Sequence, residues 1–204
     1  RNDKREVLIT RGKKNFKELS KGSIIGTSSY RREFQLKQKR NDLNYKLIRG
    51  NVDTRLRKLD KNFYDGIILS YAGIKFLGFK TKVSQIFSQS EIIPSAGQGI
   101  IAAQCRKKDN RVIKILKKIN HQSTFYCGQA ERSVLKVLEG DCETAVGVST
   151  KLDKKKISME AELFSLDGKK RFYEKGKSNL RFAKKLGMSL GRRLKKKSKN
   201  LYKK

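Results

Sequence analysis

The fold class is decided by the stretch Tyr64-Asp65-Gly66-Ile67-Ile68-Leu69-Ser70. Its continuous apolar run, bounded by an aspartate–glycine pair and a serine, is typical of a strand that is buried on both faces. Residues 72–79 can continue from it as a helix. A strand buried in this way needs neighbouring strands and covering helices, which the flanking sequence must supply.

Strand and helix patterns alternate before this segment. Short strands are predicted at 23–27 and 43–48, and helices are predicted at 29–40 and 52–61. This βαβαβα order favours a parallel sheet with helices on its faces. The first half of the chain is therefore predicted to be α/β.

The pattern changes at Pro94, the only proline of the chain. Residues 94–99 break the alternation and indicate a hinge or crossover. A strand at 100–105 and helices at 110–120 and 123–138 are expected next, the second with Phe125 and Val134 facing inward. Later segments separated by turn sequences predict an antiparallel sheet, with strands at 146–150, 157–164 and 171–175.

The chain is expected to end in a helix over about 179–194 and a basic tail. The last 13 residues contain eight lysines or arginines. Such a charged terminus is typical of a frayed, solvated segment.

The formal net charge is +32, from 51 Lys+Arg against 19 Asp+Glu. This balance favours polyanionic partners and makes nucleic-acid binding the rival hypothesis. Lysines are scattered over nearly every segment, whereas several arginines fall at strand ends and helix starts. We interpret the lysines mainly as a solvated surface and the placed arginines as chemistry.

The sequence predicts no membrane span, signal peptide or metal site. No apolar run reaches the length of about 20 residues that a span needs. Cys105, Cys127 and Cys142 are odd in number and lack Cys-x-x-Cys spacing, which argues against a disulfide scaffold or a zinc site. Cys105 and Cys127 are expected in the core. His121 has no ligand partner nearby and is expected to cap or pack near a helix start. A reducing, cytoplasmic setting is predicted.

Cys142 is the most informative residue for function. It lies within 138–147, at a predicted helix-to-strand corner flanked by glycines, where a thiol can project into a cavity. Upstream, Thr27, Ser28 and Ser29 lie between a strand and a helix, where backbone amides and hydroxyls suit an anion. A thiol and an anion pocket are thus both predicted.

Four arginines accompany these hydroxyl residues. Arg31 and Arg32 follow in the first helical turn, and Arg49 and Arg55 lie at the corresponding edge of the next strand and helix. Together they predict a pocket for several carboxylates or phosphates. The alternative for the first pair is a serine N-cap followed by surface arginines, and the two interpretations carry equal weight.

Glu131 and Arg132 form a further charged pair of the sequence. They either form a structural ion pair or brace the Cys142 segment, and the structural interpretation is favoured because charges on helices are usually solvated or paired locally.

The chain resembles the porphobilinogen deaminase family, also called hydroxymethylbilane synthases. The resemblance runs from Arg1 to about Leu190 and rests on several ordered motifs, namely Gly26-Thr27-Ser28-Ser29-Tyr30-Arg31-Arg32, Leu47-Ile48-Arg49-Gly50-Asn51-Val52-Asp53-Thr54-Arg55, Tyr64-Asp65-Gly66-Ile67-Ile68-Leu69, Gly97-Gln98-Gly99, Ala130-Glu131-Arg132 and Leu138-Glu139-Gly140-Asp141-Cys142.

The resemblance implies an architecture of two periplasmic-binding-protein-like α/β lobes and a small α+β domain. Residues 1–95 would form the second lobe, which has a parallel sheet and binds carboxylates. Residues 96–118 would cross back to complete the first lobe. Residues 119–204 would form the C-terminal α+β domain with an antiparallel sheet, the cofactor cysteine and the basic tail from about 192.

The resemblance also implies the chemistry. Cys142 would hold a dipyrromethane cofactor through a thioether. The cofactor and the growing polypyrrole chain would be bound through their acetate and propionate groups by Thr27, Ser28, Ser29, Arg31, Arg32, Arg49 and Arg55. Four porphobilinogen molecules would condense head to tail with loss of ammonia, and water would release 1-hydroxymethylbilane. The enzyme is expected to be a monomeric transferase of tetrapyrrole (heme) biosynthesis.

Three departures from the family pattern stand out. About one domain of sequence, with the aspartate that stabilises the pyrrole cations, would precede Arg1, so no catalytic residue is assignable and residues 1–204 alone are expected to be inactive. Asp141 and Ala145 replace a glycine and a proline. Lys4 replaces a proline.

Two other functions stay open. One is a basic nucleic-acid-binding protein, which lacks a recognisable motif here. The other is a remnant that binds tetrapyrroles without catalysis, a possibility that the changes at Asp141 and Ala145 keep alive.

Overall fold

The computed structural model describes residues 1–141 and 143–203 and contains two separate β-sheets. The first sheet has five strands in the order β3-β2-β4-β1-β5. Its strands are β1 (Glu6–Thr10), β2 (Ile24–Gly26), β3 (Asn44–Lys46), β4 (Gly66–Ser70) and β5 (Gln85–Ile86). β2 is parallel to β3 and β4, whereas β1 is antiparallel to β4 and β5.

Three helices accompany this sheet: α1 (Tyr30–Lys37), α2 (Val52–Asp60) and α3 (Tyr71–Phe76). Successive side chains of β1 point to opposite faces, so Leu8 joins one apolar cluster while Val7 and Ile9 join another. Both faces are therefore buried, as the apolar run in β4 predicts. The predicted α/β alternation is confirmed.

The predicted parallel sheet is confirmed for β2, β3 and β4. The sheet is mixed, however, because β1 lies between β4 and β5 in the antiparallel sense. β1 has the sequence Glu-Val-Leu-Ile-Thr, and all five residues are buried. The strand follows the charged segment Lys4-Arg5 and begins with Glu6. Because these residues are charged, a prediction based on polarity does not identify β1 as a buried strand.

The second sheet is antiparallel, in the order β6-β7-β8. Its strands are β6 (Val146–Asp153), β7 (Lys156–Phe164) and β8 (Arg171–Asn179). The remaining helices are α4 (Asn110–Ile119), α5 (Gln122–Leu138) and α6 (Ala183–Ser198). Apolar side chains of α5, α6 and the sheet form one core cluster. The predicted antiparallel sheet is confirmed.

Three expectations about apolar residues are wrong. Residues 100–105 contain no strand, and Ile101 there is 93% exposed. Phe125, expected to face inward, is 46% exposed, while Val134 on the same helix is fully buried. Cys127 lies in the core as expected, but Cys105 is only partly buried.

His121 caps the start of α5. Its Nδ1 accepts a hydrogen bond from the backbone amide of Thr124. This confirms the prediction of a capping role. No helix in the described part of the chain is long and apolar enough to cross a membrane.

The basic tail is packed up to residue 203, so the expectation of a frayed segment is wrong. α6 continues to Ser198, and Leu194 and Ser198 are buried. Beyond the helix, Tyr202 is 2% exposed and its hydroxyl donates to the carbonyl of Leu138 at 3.0 Å. The tail is held because a few apolar residues among the lysines pack against α5, a contact that local composition does not reveal.

We expect Tyr202→Ala to lower the free energy of unfolding by about 3 kcal/mol, because it removes a buried aromatic ring. Tyr202→Phe keeps the ring and loses only the hydrogen bond to Leu138, at a cost of about 1 kcal/mol. Urea unfolding followed by circular dichroism measures both. A Tyr202→Ala variant as stable as the wild type would show that the tail does not pack.

Candidate functional site

The hydroxyl residues between β2 and α1 hold the loop in place. The Ser29 side chain is the N-cap of α1 and accepts from the amide of Arg32 at 3.4 Å. Thr27 Oγ1 accepts from the amide of Ser29 at 3.2 Å, and the Ser28 hydroxyl donates to the carbonyl of Ile48. The serine N-cap of the alternative interpretation is therefore present.

Arg31 is not the surface arginine of that alternative, because its side chain is 6% exposed. Its Nη2 lies 2.7 Å from Oε1 of Glu6, and its Nη1 donates to the carbonyl of Ile93 at 2.8 Å. Gln35 also donates to this carbonyl, at 3.0 Å. Arg31 thus joins α1 to β1 and to the segment before Pro94.

Arg32 contacts the same carboxylate from the other side. Its Nη2 lies 2.9 Å from Oε2 of Glu6, and its Nη1 donates to the carbonyl of Ile68 at 3.3 Å. Its Nε is buried and has no acceptor among residues 1–141 and 143–203. A buried donor without a partner is costly, so the Arg32 Nε is an unsatisfied polar group of the described structure.

Glu6 is the buried counter-charge of this pair. Burial alone would raise the pKa of its carboxyl, but the charges of Arg32 and Arg31 and their hydrogen bonds hold the pKa below its ordinary value. The carboxylate is therefore ionised in the folded protein. One negative charge between two guanidinium groups leaves the cluster with a net positive charge.

Arg55 and Arg49 lie at the same edge of the first sheet. Arg55 is half-buried, and its Nε donates to the carbonyl of Gly50 at 2.7 Å. Burial lowers the pKa of Arg55, and the nearby charge of Arg32 lowers it further. Arg49 is exposed and lies in the loop after β3, which ends at Lys46. The structure thus brings Arg32 and Arg55 close together and presents Arg49 to solvent.

A cavity of about 800 Å³ separates the start of α1 from α5 and the segment that follows α5. Ser29 and Arg31 line one side, and Arg132, Asp141 and Thr144 line the other. Cys142 lies outside the described residues. Its two neighbours in sequence are described, and Asp141 faces this cavity.

The Asp141 carboxylate is engaged within its own turn. Its Oδ1 accepts from the amides of Glu143 and Thr144 and from the Thr144 hydroxyl, each at 2.9 Å. The hydrogen bond from the Thr144 hydroxyl and those from the two amides lower the pKa of Asp141. The side chain that departs from the family pattern therefore stabilises the turn beside Cys142.

The other departure in this segment is also explained by packing. Ala145 is 5% exposed and belongs to an apolar cluster with Phe34 of α1 and Phe164 of β7. Its carbonyl accepts from the amide of Phe164 at 3.1 Å. Ala145 thus fixes the chain after the turn against both α1 and the second sheet.

Glu131 pairs with Arg1 and not with its sequence neighbour Arg132. The Arg1 guanidinium is bidentate, at 2.6 Å and 3.1 Å, and the carboxylate also accepts from the amide of Gly97 and the hydroxyl of Thr150, each at 2.7 Å. Glu131 therefore has a structural role, but the predicted pair of Glu131 with Arg132 is wrong, because the partner is Arg1.

Arg132 is a candidate site residue that the sequence interpretation left as structural. It is exposed and lines the cavity of about 800 Å³ together with Gln129, Ser133 and Lys136. The spacing i, i+3, i+4, i+7 places these four polar residues on one face of a helix. This row of polar residues on one helix face is the sequence signal from which Arg132 could have been predicted as a site residue.

Among residues 1–141 and 143–203, no group of three or more histidine, cysteine, aspartate or glutamate side chains is placed to hold a metal ion.

We expect Glu6→Gln to lower the free energy of unfolding by about 3–5 kcal/mol at neutral pH, because it leaves two buried guanidinium groups without a counter-charge. Since the folded pKa of Glu6 is depressed, the wild type gains this stability above the unfolded pKa and loses it as the pH falls below about 4.5. Urea unfolding at several pH values measures the difference. Glu33→Gln, which breaks the exposed pair with Lys37, is the control, with an expected cost of about 0.5 kcal/mol. Equal stabilities of Glu6→Gln and the wild type would contradict the assignment.

Two family profiles match the chain. Residues 1–114 match "Porphobilinogen deaminase, dipyromethane cofactor binding domain", and residues 125–196 match "Porphobilinogen deaminase, C-terminal domain". The first match alone covers more than half of the chain.

Curated relatives with the same name are similar over most of the chain. Porphobilinogen deaminase of Alkaliphilus metalliredigens (strain QYMF) is 39% identical over 194 residues, which are 95% of this chain and 61% of the relative. Porphobilinogen deaminase of Prochlorococcus marinus (strain MIT 9515) is 36% identical over 96% of this chain and 63% of the relative. The chain thus spans about three fifths of the length of these relatives. It belongs to the porphobilinogen deaminase family.

Proposed function

We propose that this chain is the cofactor-carrying part of a porphobilinogen deaminase. The activity would be the head-to-tail condensation of four porphobilinogen molecules with loss of ammonia, followed by release of 1-hydroxymethylbilane. The observation that carries the proposal is the cavity of about 800 Å³, in which Arg31 and Arg132 face the turn formed by residues beside Cys142. The family profile over residues 1–114, whose description names the dipyrromethane cofactor, supports it.

The residues present fit a ligand that carries several carboxylates. Arg32 has a buried Nε without an acceptor among the described residues, and Arg132 and Arg49 are exposed. Guanidinium groups bind carboxylates with two parallel hydrogen bonds, which gives both affinity and orientation. When bound at Cys142, dipyrromethane supplies the pyrrole carbon to which the first porphobilinogen is joined.

The protein's own contribution is to hold and orient these carboxylates. In this proposal the ligands are Thr27, Ser28, Ser29, Arg31, Arg32, Arg49 and Arg55, with Arg132 added from the cavity lining. The hydroxyl residues already cap α1 and tie its loop to Ile48, so they act mainly by fixing the backbone. Arg31, held in place by Glu6 and the carbonyl of Ile93, lines the cavity and would contact the ligand directly, as would Arg132. Arg32, Arg55 and Arg49 would bind further carboxylates of the ligand.

A further lobe would contact the segment between the two sheets. Ile101, Ile115 and Ile119 are exposed there, and a cavity of about 740 Å³ with apolar lining lies beside α4. Exposed apolar surface of this kind marks an interaction site. We assign residues 1–95 to a periplasmic-binding-protein-like lobe, 96–118 to the completion of the further lobe, and 119–204 to the C-terminal domain. A monomeric, cytoplasmic enzyme completes the proposal.

The mass of the native polypeptide from its source cells tests the cofactor assignment. We expect a covalent dipyrromethane adduct on the tryptic peptide 137–151, and we expect Cys142→Ala to abolish it, because the thioether needs that sulfur. Cys105→Ala and Cys127→Ala are the matched controls and should keep the adduct. An adduct on either of these cysteines, or none at all, would overturn the assignment. An adduct without product formation would identify a binding remnant.

Arg132→Gln tests the arginine added by the structure. In the full-length enzyme we expect the KM for porphobilinogen to rise about tenfold, because one charge-assisted contact to a carboxylate is lost. Arg57→Gln removes an exposed arginine of α2 and should leave the KM unchanged. Steady-state kinetics of product formation measures both variants. An equal KM in the two variants would remove Arg132 from the site.

A further inference from the structure

A second cavity, with many polar lining residues, lies beside the antiparallel sheet. Its volume is about 1140 Å³, and it is bounded by β6, β7, β8, the N-terminal residues and the start of α5. Of the residues that line the cavity beside Asp141, none lines this one. It is therefore distinct from the candidate site described above.

The strand register places three lysines together on one face of the sheet. Lys151 lies opposite Ser158, which lies opposite Lys177, so two lysines flank one serine in a single row. In the next row, two residues along each strand, Lys175 lies opposite Glu160. Because side chains alternate between the faces of a sheet, all these side chains share one face.

These lysines lack carboxylate partners. Within residues 1–141 and 143–203, Lys151, Lys175 and Lys177 form no ion pair. Glu160, the one carboxylate among the described lining residues, accepts from the Tyr173 hydroxyl at 2.9 Å. Lys151 and Lys177 flank the uncharged Ser158 of β7, so neither faces a carboxylate across its strand pair.

Composition alone does not explain the missing partners, because lysines elsewhere in the chain do pair. Lys195 and Lys203 contact Glu139, and Lys197 contacts Glu174. Glu139 and Glu174 thus pair with lysines of the tail and not with lysines of the cavity, which keeps its positive charge.

Lys4 adds a buried ammonium group to the same cavity. It is 9% exposed, and its Nζ donates to Ser149 Oγ at 3.0 Å and to the carbonyl of Thr150. An ammonium has three donors, and the described residues supply these two acceptors. Burial lowers the pKa of Lys4, the charge of Arg1 lowers it further, and Glu131 opposes the shift. An anion in the cavity would favour the charged form.

We propose that this cavity binds a small oligoanion, a molecule with two or more phosphate or carboxylate groups. Strands lie about 4.8 Å apart, so Lys151 and Lys177 are rooted about 10 Å from each other, with Lys175 close by. Their flexible stems allow the ammonium groups to converge on one triphosphate or tricarboxylate. Lys4 supplies a fixed cation at the cavity wall. The site does not depend on the proposed enzymatic activity.

Isothermal titration calorimetry of the full-length protein at physiological salt tests this proposal. The probes are inorganic tripolyphosphate and citrate, which separate a phosphate source from a carboxylate source. We expect saturable one-to-one binding of at least one probe, weakened about tenfold or more in Lys151→Gln/Lys177→Gln, because two charge-assisted contacts are lost. Lys155→Gln/Lys169→Gln removes the same charge from exposed turn positions outside the cavity and should bind as the wild type does.

Each outcome decides the proposal. Selective loss of binding in the Lys151/Lys177 variant supports it, and the tighter probe identifies the acid group that the site prefers. Equal weakening in both double variants would show that binding follows net charge alone and would overturn it. Absence of saturable binding of either probe would also overturn it. Thermal unfolding of each variant establishes that it is folded, which the exposure of the substituted lysines favours.

Discussion

The ion cluster of Glu6, Arg31 and Arg32 joins α1 to the first sheet and to the segment before Pro94. A buried carboxylate is expensive unless it is paired, and here two guanidinium groups pair it, at 2.7 Å and 2.9 Å. The pairing fixes α1 against β1, the antiparallel strand that lies between β4 and β5 in the first sheet. It also fixes the carbonyl of Ile93 through Arg31. The next residue, Pro94, accepts from the amide of Val148 at 2.8 Å, so the cluster reaches β6.

A second buried carboxylate anchors the chain where the two sheets meet. Glu131 on α5 accepts from Arg1, Gly97 and Thr150, three residues far apart in sequence. Gly97 follows Pro94, and Thr150 lies in the same strand as Val148. The crossover is therefore held on one side by the Arg31 cluster and on the other by Glu131. Since both ties are made of buried charges, loss of one partner would cost more than loss of an apolar contact.

Local patterns predicted the elements, whereas charge pairing decided their roles. The apolar run of β4 and the antiparallel turns of the second sheet are signals within a few residues, and they were confirmed. β1 was missed because its buried Glu6 reads as surface. The burial of Arg31 and its pairing with Glu6 could not be predicted, because Glu6 lies 25 residues away in sequence. The tail was misjudged because Tyr202 packs on Leu138, 64 residues away. Separations of this size leave no local trace.

The net charge of +32 acquires a different meaning once the pairing is known. Buried arginines use the few available carboxylates to build the first sheet and the crossover, and Glu139 and Glu174 take up lysines of the tail. Lys151, Lys175 and Lys177 of β6 and β8 form no ion pair among the described residues, and Glu160 is the one described carboxylate beside them in the cavity lining. Nucleic acids are bound through many phosphate contacts spread along their backbone. A cavity that gathers the charges around the buried Lys4 instead favours a compact anion. The positions of the acidic residues, and not the number of basic residues, therefore determine which partner this chain fits.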